Sequence, residues 1–220
     1  MHISRAGRVT AAVSAGLFAV LVGVPAAASP TGGGKTVIDT LSGWDGTSSL
    51  SPWGTPDTAT YGQVVTIPEG DGIACGDPPC LKRVMKHEKY DISAHAGTGT
   101  MTFRAEIYGW DGTKATTKVF ESKPMTLQLT EGDASYKAVT INSKHAKVMA
   151  GQQYVTFLSV SKDYEANPPN LEAQWACNYS DVYAGGSAVY LNDGGDESQW
   201  TTQAWSSIST FDMATVITLK

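Results

Sequence analysis

Beyond residue 35, apolar and polar side chains alternate along this chain, and clusters of Gly, Pro, Asn and Asp interrupt the alternation about every ten residues. The pattern is clearest over residues 102–110, where it puts Phe103, Ala105 and Ile107 on one face and Glu106 on the other. Successive side chains of a strand point to opposite faces, so the first face is predicted to enter a core and the second to meet water. Glu106 is therefore expected to be a solvated surface acid.

Ten segments share this pattern or are rich in β-branched and aromatic residues, and turn-forming residues bound them. They are residues 36–41, 61–67, 84–92, 102–110, 118–121, 125–129, 136–141, 154–160, 187–191 and 213–219. Asp111 and Gly112 predict a two-residue hairpin turn, and residues 145–149 offer at most one helical turn. The sequence thus predicts an all-β fold with little helix, an antiparallel, jelly-roll-like β-sandwich whose first and last strands pair.

Residues 1–28 have the three parts of a secretory signal peptide. Arg5 and Arg8 precede an apolar stretch at residues 9–24, and three alanines end the segment at Ala28. A membrane anchor is the alternative, but Thr, Ser and Gly residues interrupt the stretch, and it falls short of the roughly 20 residues that a span requires. We therefore expect cleavage after Ala28 and a secreted, extracellular protein.

The exported part is expected to begin with a flexible lead-in at residues 29–35, which contains three successive glycines. No Pro- or Ser-rich linker divides residues 36–220, which predicts a single β-sandwich domain. No stretch after the signal peptide is apolar enough to span a bilayer, so the mature chain is predicted to have no transmembrane segment. The 16 basic and 21 acidic residues give a net charge of -5, which argues against a nucleic-acid partner.

All three cysteines lie in the exported part, where disulfides form. Cys75 and Cys80 bracket a Gly-Asp-Pro-Pro turn, and a local disulfide between them is the first choice. A bridge from either residue to Cys177 is the alternative, and it would join distant segments of the chain. One cysteine is left over in each case.

All six tryptophans follow the signal peptide, and most fall in or beside predicted loops. An indole ring stacks on the apolar face of a sugar while neighbouring amides bond its hydroxyls. The candidate glycan-binding residues are Trp44 and Trp53, in a loop rich in Gly, Ser and Pro, and Trp200 with Gln199 and Gln203. The alternative is that these rings close the ends of the sandwich as part of its core.

An acidic, glycine-broken loop at residues 192–197 carries oxygen donors of the kind that Ca²⁺ prefers. Asp193, Asp196 and Glu197 are the candidate ligands for the one cofactor considered, a calcium ion. The loop lacks the spacing of an EF-hand, and a solvated turn is the alternative.

None of the familiar nucleophile, zinc-protease, phosphate-loop or dinucleotide motifs occurs. A pair of carboxylates, such as Glu106 with Glu121 or Asp91, would suit glycoside cleavage if the fold held them about 5 to 9 Å apart. That separation is a property of the fold and cannot be taken from the sequence. No catalytic residue is assigned, and a binding protein is favoured over an enzyme.

Five stretches carry a family resemblance. They are ATYGQVVTIP (59–68), AEIYGWDG (105–112), MAGQQYVTFLSV (149–160), AGGSAVYLNDG (184–194) and FDMATVITL (211–219). In this order they resemble a broad group of exported bacterial β-sandwich proteins of unassigned function, and the resemblance implies the fold and export but no catalytic residues. Within the first stretch, Gly62 indicates a bulge or a close backbone approach, and Gln63 is expected to satisfy a backbone group nearby.

Three functions follow from these observations. We expect a secreted, non-catalytic β-sandwich that binds an extracellular or surface ligand, with carbohydrate as the favoured ligand. The alternatives are a structural protein of the cell envelope or matrix with no small-molecule site, and a glycan hydrolase that uses two strand acids.

Overall fold

The structure is a computed structural model that describes residues 30–31, 35–55, 58–69 and 82–220. The predicted signal peptide and the predicted disulfide between Cys75 and Cys80 lie outside the described residues. Within the predicted lead-in, Pro30 and Thr31 form a short antiparallel ladder with Thr36 and Lys35.

The described residues are mostly strand. In chain order the strands are β1 (Pro30–Thr31), β2 (Lys35–Asp39), β3 (Ser49–Gly54), β4 (Thr60–Thr66), β5 (Lys82–Ala96), β6 (Gly99–Trp110), β7 (Ala115–Glu121), β8 (Met125–Leu129), β9 (Lys137–Met149), β10 (Gln153–Ser159), β11 (Glu172–Asn178), β12 (Ala188–Leu191), β13 (Ser206–Ile208), β14 (Asp212–Met213) and β15 (Thr215–Leu219). The helical elements are 3-10 helices at Leu41–Gly43 and Ser161–Ala166 and one short α-helix, α1 (Gln199–Thr202). No helix in this described part is both long and apolar enough to cross a membrane.

The strands form two antiparallel sheets that pack as a sandwich, as the alternation predicted. One sheet has eight strands in the order β1-β2-β15-β5-β11-β14, with β3 paired to β11 and β9 paired to β5. The other has seven strands in the order β13-β12-β4-β10-β6-β7, with β8 paired to β6. The predicted pairing of the first and last strands is confirmed, because Ile38 of β2 lies opposite Ile217 of β15.

Strand β11 is the longest strand that the alternation did not predict. It begins three residues after Pro169, and it pairs with both β5 and β3. Ala173 and Trp175 face the core, and Ala176 on the opposite face is also buried. Its sequence alternates only over residues 172–175, and the buried run at residues 175–177 then interrupts the period of two.

Strand β9 corrects the helical turn expected at residues 145–149. The strand runs without interruption to Met149 and pairs with β5 along its length, from Ile92 opposite Lys137 to Lys82 opposite Met149. Ladder hydrogen bonds to β5 outweigh the weak local preference of this segment for helix.

The predicted hairpin between β6 and β7 is confirmed, but its turn is longer than expected. Trp110 pairs with Ala115, which leaves a four-residue loop instead of two. Asp111 Oδ1 accepts a hydrogen bond from the Thr113 backbone N–H at 2.8 Å, and Gly112 has a φ of +102°. This side-chain acceptor and the left-handed glycine stabilise the longer turn.

The core between the sheets is rich in aromatic rings. Tyr61 and Phe103 enter it from the seven-stranded sheet, and Tyr90 and Trp175 enter it from the eight-stranded sheet. The Trp175 ring lies 5.8 Å from that of Tyr61 and 5.1 Å from that of Tyr90. These contacts between the sheets fix how the two layers lie on each other.

A third layer covers the outer face of the seven-stranded sheet. Residues 192–205 fold back across it, and the rings of Trp200 and Trp205 pack on Phe157 at 5.0 and 5.1 Å. The face of β6 that carries Glu106 is consequently buried, and the prediction of a solvated acid there is wrong. The cover depends on a segment far along the chain, which an alternation within β6 does not indicate.

Candidate functional site

Two of the predicted stacking tryptophans have no face available to a ligand. Trp53 is fully buried, packs against Trp175 at 5.3 Å and donates its Nε1 proton to the Ala59 carbonyl. Trp200 is 1% exposed, and its Nε1 donates to Asp193 Oδ2 at 2.7 Å. Neither ring can stack on a glycan in this structure, because Trp53 packs within the core and Trp200 packs within the outer layer.

The other predicted glycan-binding residues lie at the surface but do not form one site with those two rings. Trp44 is half-buried, stands edge-on to Tyr136 at 4.6 Å and donates its Nε1 proton to the Ser48 carbonyl. Gln199 is half-buried and donates to the Asp193 carbonyl at 3.2 Å, whereas Gln203 is exposed. Trp44 keeps a partly free ring, and the two glutamines are left beside a buried indole.

The predicted calcium ligands serve other partners. Asp193 is buried, and its carboxylate accepts hydrogen bonds from Thr60, Ser161 and Trp200. Asp196 accepts from the N–H and hydroxyl groups of Ser198 in its own turn. Across the described ranges, no three acidic, His or Cys side chains gather where they could hold a metal ion. Asp193 thus anchors the outer layer, Asp196 stabilises its own turn, and Glu197 is an exposed acid 3.7 Å from Lys162 Nζ.

Cys177 and the Gly62-Gln63 pair have structural roles. Among the described residues, Cys177 is a free thiol that is buried in the core. A Cβ at Gly62 would lie 2.7 Å from Phe157 Cβ, so the predicted close approach is confirmed. Gln63 is buried; its Oε1 accepts from the Met213 N–H and its Nε2 donates to Asp212, which ties the two sheets together.

The carboxylate pair considered for glycoside cleavage does come together. Glu106 and Glu121 are opposite each other on β6 and β7, and Lys162 Nζ lies 3.0 Å from Glu106 Oε1 and 2.9 Å from Glu121 Oε2. Burial raises the pKa of Glu106 to about 7, although Lys162 opposes that effect. Burial also acts to raise the pKa of Glu121, but hydrogen bonds from Lys118 and Lys162 lower it to about 2.

The arrangement around Lys162 is closed to a substrate. Glu106 is fully buried, and Lys162 itself occupies the space that links the two carboxylates. A cleft of about 520 Å³ lies beside them, but Glu106 does not line it; its lining residues are Arg104, Glu121, Ser161, Lys162, Gly195 and Glu197. The pair has divided pKa values, as an acid and a base require, but the acid cannot reach a glycosidic oxygen.

A different groove lies at one edge of the sandwich, where β3 of the eight-stranded sheet faces β12 and β13 of the seven-stranded sheet. We call it the edge groove, and its volume is about 530 Å³. It is lined by Leu50, Ser51, Pro52, Thr58, Tyr61, Tyr190, Asn192 and Ile208. None of these eight residues is an acid, a lysine, an arginine or a histidine.

Hydrogen bonds within the edge groove hold its walls and leave several polar groups free. The Tyr61 hydroxyl donates to the Pro52 carbonyl at 2.7 Å, and the Thr58 hydroxyl donates to Asn192 Oδ1 at 2.6 Å. Asn192 is exposed, and its Nδ2 has no partner in the described part of the chain. Tyr190 is half-buried with its ring 6.3 Å from that of Tyr61. The groove thus combines a fixed aromatic wall with an outward amide donor.

An aromatic pair adjoins this groove. Tyr179 is 57% exposed, the one large apolar side chain in the described residues with such exposure, and its ring lies 4.8 Å from that of Phe211. The Tyr179 hydroxyl donates to the Ser49 carbonyl at 2.6 Å, beside the first lining residue of β3. The Phe211 N–H donates to the carbonyl of Ile208, a lining residue of β13. An exposed ring held in place on both sides is a preformed contact surface.

The positions of the loop tryptophans in the sequence did not indicate Tyr179 or Tyr190. Tyr190 lies inside the predicted strand 187–191, and Tyr179 follows a strand that the alternation did not show. The available signal was the position of Tyr179 directly after an Asn and before a Ser and an Asp, in a segment rich in turn-forming residues. That signal marks a loop, but not its proximity to β3.

This chain has a distant structural similarity to a known protein. No protein-family model matches this chain, and no curated protein matches it in sequence. Among solved structures, the chain is similar to the cysteine protease and lectin-like domains of Cwp84, a surface layer associated protein of Clostridium difficile, with 10% sequence identity and a TM-score of 0.43. The similarity covers 74% of this chain and 32% of the Cwp84 chain.

Proposed function

We propose that this protein is a secreted, non-catalytic β-sandwich that binds carbohydrate in the edge groove. The observation that carries the proposal is the combination in one groove of a half-buried tyrosine ring, Tyr190, with the free amide of Asn192. The fixed aromatic pair of Tyr179 and Phe211 extends the same surface. Export follows from the signal-peptide pattern of residues 1–28.

The chemistry of these groups matches that of a sugar ring. The C–H face of a pyranose is apolar and stacks on an aromatic ring, while its hydroxyls both donate and accept hydrogen bonds. Asn192 Nδ2 supplies a donor, and the hydroxyls of Tyr190 and Ser51 supply groups that do both. All three are free of partners within the described residues, so a ligand does not have to displace an internal hydrogen bond.

Hydrolysis has less support than binding. The pair with divided pKa values, Glu106 and Glu121, is bridged by Lys162, and Glu106 has no exposed surface. The edge groove in turn contains no carboxylate that could act as an acid, a base or a nucleophile. A structural envelope protein without a small-molecule site is the competing class, and the following experiment separates it from a glycan-binding protein.

The proposal is tested by a glycan array of the secreted chain, followed by calorimetry with the best glycan and with variants. Tyr190→Ala is expected to weaken binding about tenfold, or roughly 1.4 kcal/mol, because the stacking ring is lost. Tyr190→Phe keeps the ring and should keep most of the affinity. Gln152→Ala, at an exposed position outside the groove, is the control and should bind as the unmodified protein does.

Circular dichroism and thermal unfolding confirm that each variant is folded. Absence of binding to every glycan on the array contradicts the proposal and favours the structural class. Binding that survives Tyr190→Ala but is lost in Trp44→Ala would move the site to Trp44, the predicted stacking tryptophan that keeps a partly free ring.

A further inference from the structure

The edge groove carries no formal charge. Its lining consists of apolar, hydroxyl and amide side chains, and the tyrosines are its only titratable groups. A ligand that brings a carboxylate or sulfate into this groove would lose hydration without gaining an opposite charge, which is costly. A positively charged amino sugar meets the same cost, because the lining contains no acid.

The basic side chains next to the other large cleft are already paired. Lys162 lies within 4.0 Å of Glu106, Glu121 and Glu197, and Arg104 pairs with Glu121 and Asp163 at 2.9 Å each. That cleft therefore offers no unpaired lysine or arginine among its lining residues to an anionic ligand. The net charge of -5 adds a long-range repulsion of anionic ligands.

Two separate aromatic surfaces contact residues in or beside the wall of the groove. Tyr190 lines the groove, and the pair of Tyr179 and Phe211 is held by hydrogen bonds to Ser49, which precedes the lining residue Leu50, and to Ile208, which lines the groove. One aromatic ring covers about one sugar ring. A ligand that stacks on both surfaces therefore needs at least two sugar units.

We infer that the edge groove selects uncharged oligosaccharides of two or more units, with one unit on Tyr190 and another on the pair of Tyr179 and Phe211. This inference rests on the proposed function and adds the charge and the length of the ligand. The uncharged lining of the groove determines the charge of the ligand, and the fixed, exposed ring of Tyr179 determines its length.

The charge of the ligand is tested with oligomers of galactose and of galacturonic acid of equal length, which differ in the carboxylate at C6, and with glucose and mannose oligomers. We expect at least one neutral series to bind, with affinity unchanged between low and high salt, and the galacturonate series to bind at least tenfold more weakly. Equal or tighter binding of galacturonate than of every neutral series overturns this inference and leaves the proposed function intact. Failure of all series, and of the wider array, overturns both.

The length of the ligand is tested by comparing a monosaccharide with its oligomers in the Tyr179→Ala variant. We expect the affinity for oligomers to fall about tenfold while the monosaccharide affinity is unchanged. Tyr179→Phe keeps the ring but loses the hydrogen bond to Ser49, and it should retain most oligomer binding. Loss of monosaccharide binding by the same factor, or no change for any ligand, overturns the two-unit arrangement. Thermal unfolding of both variants separates these results from a loss of folding.

Discussion

At the scale of single residues, the most unusual feature is a carboxyl group in the core between the sheets. Glu88 is 1% exposed; the hydroxyls of Tyr90 and Thr156 donate to its Oε2, and its Oε1 has no partner among the described residues. Burial raises the pKa of Glu88 to about 7, against the opposing effect of these hydroxyls. The folded protein therefore holds a proton at this position that the unfolded chain releases near pH 4.5.

This difference makes the stability depend on pH. Below about pH 4.5 Glu88 is protonated in both states, and between pH 4.5 and 7 the unfolded chain ionises first, so stability is lost as pH rises through this window. The loss attributable to Glu88 is about 3 kcal/mol at 1.36 kcal/mol per pKa unit. Urea unfolding of the unmodified protein and of Glu88→Gln from pH 4 to 8 measures it. Glu88→Gln should lose less stability over this pH range than the unmodified protein does. Glu131→Gln, at an exposed glutamate, is the control and should lose as much as the unmodified protein. Parallel curves for the unmodified protein and Glu88→Gln would contradict the prediction.

Lys162 is a second decisive residue, because it compensates the buried Glu106. Lys162→Met leaves Glu106 and Glu121 without this counter-charge and is expected to destabilise the fold by about 3 kcal/mol, more at pH 8 than at pH 6, where Glu106 is largely protonated. Lys118→Met is the control: its side chain is 51% exposed and also contacts Glu121, and its loss should cost at most about 1 kcal/mol. Denaturant unfolding at both pH values compares the two. Equal effects would show that Lys162 is an ordinary surface cation.

At the scale of elements, the segment at residues 192–205 covers the outer face of the seven-stranded sheet, as a further sheet would. It contains only the short helix α1, and it is held by the buried Asp193, by Lys162 at 5.2 Å from the Trp200 ring, and by the Trp205 N–H, which donates to the Thr113 carbonyl. Without it, Phe157 and Tyr108 would be exposed. Side-chain packing, and not regular backbone pairing, therefore stabilises this layer.

The layer is predicted to depend on one indole. Trp200→Ala removes the ring that packs on Tyr108 and Phe157 and should destabilise the protein by about 3–5 kcal/mol. Hydrogen exchange should rise first in residues 192–205 and only later in β5 and β9, because the layer lies outside the sandwich. Trp44→Ala, at a half-buried ring, is the control and should have a smaller effect. Uniform acceleration of exchange across both sheets would show that the layer is not a separate unit.

At the scale of the whole molecule, the tryptophans belong mainly to the interior. Trp53, Trp175, Trp200 and Trp205 are buried, and Trp44 and Trp110 are half-buried. Burial as part of the interior, the alternative to glycan stacking, therefore applies to these four rings, although Trp200 and Trp205 cover the outer face of a sheet and do not close an end of the sandwich. Under the proposed function, tyrosines at the edge of the sandwich make the ligand contacts, because they present a ring and a hydroxyl together.

This distribution predicts the response of the intrinsic fluorescence to iodide. Only the emission of Trp44 and Trp110 should be accessible, so a modified Stern–Volmer plot should show a minor quenched fraction. Trp44→Ala should reduce that fraction further, and full quenching should appear in denaturant. Quenching of most of the native emission would contradict the burial of the other four rings.

The local pattern of the sequence was sufficient for the class of fold and for most strands. An alternation of period two depends only on residues that are neighbours in the chain. The turn at Gly112 and the close backbone approach at Gly62 can likewise be predicted from the local sequence. The pairing of β2 with β15 was also predicted, because both segments have the pattern of strands and the first and last strands of a sandwich were expected to pair. Strand β11 did not follow, since its alternation covers only residues 172–175 before a buried run at residues 175–177.

The sequence alone thus determined that this chain builds antiparallel sheets around an apolar interior. Only the tertiary structure decided which outer face is covered, which rings are exposed and where a groove opens. The reason is distance along the chain: Tyr179 meets Ser49 across 130 residues, and Thr60 meets Asp193 across 133. Contacts of that separation arise from how the two sheets and their loops pack, and no window of neighbouring residues contains them.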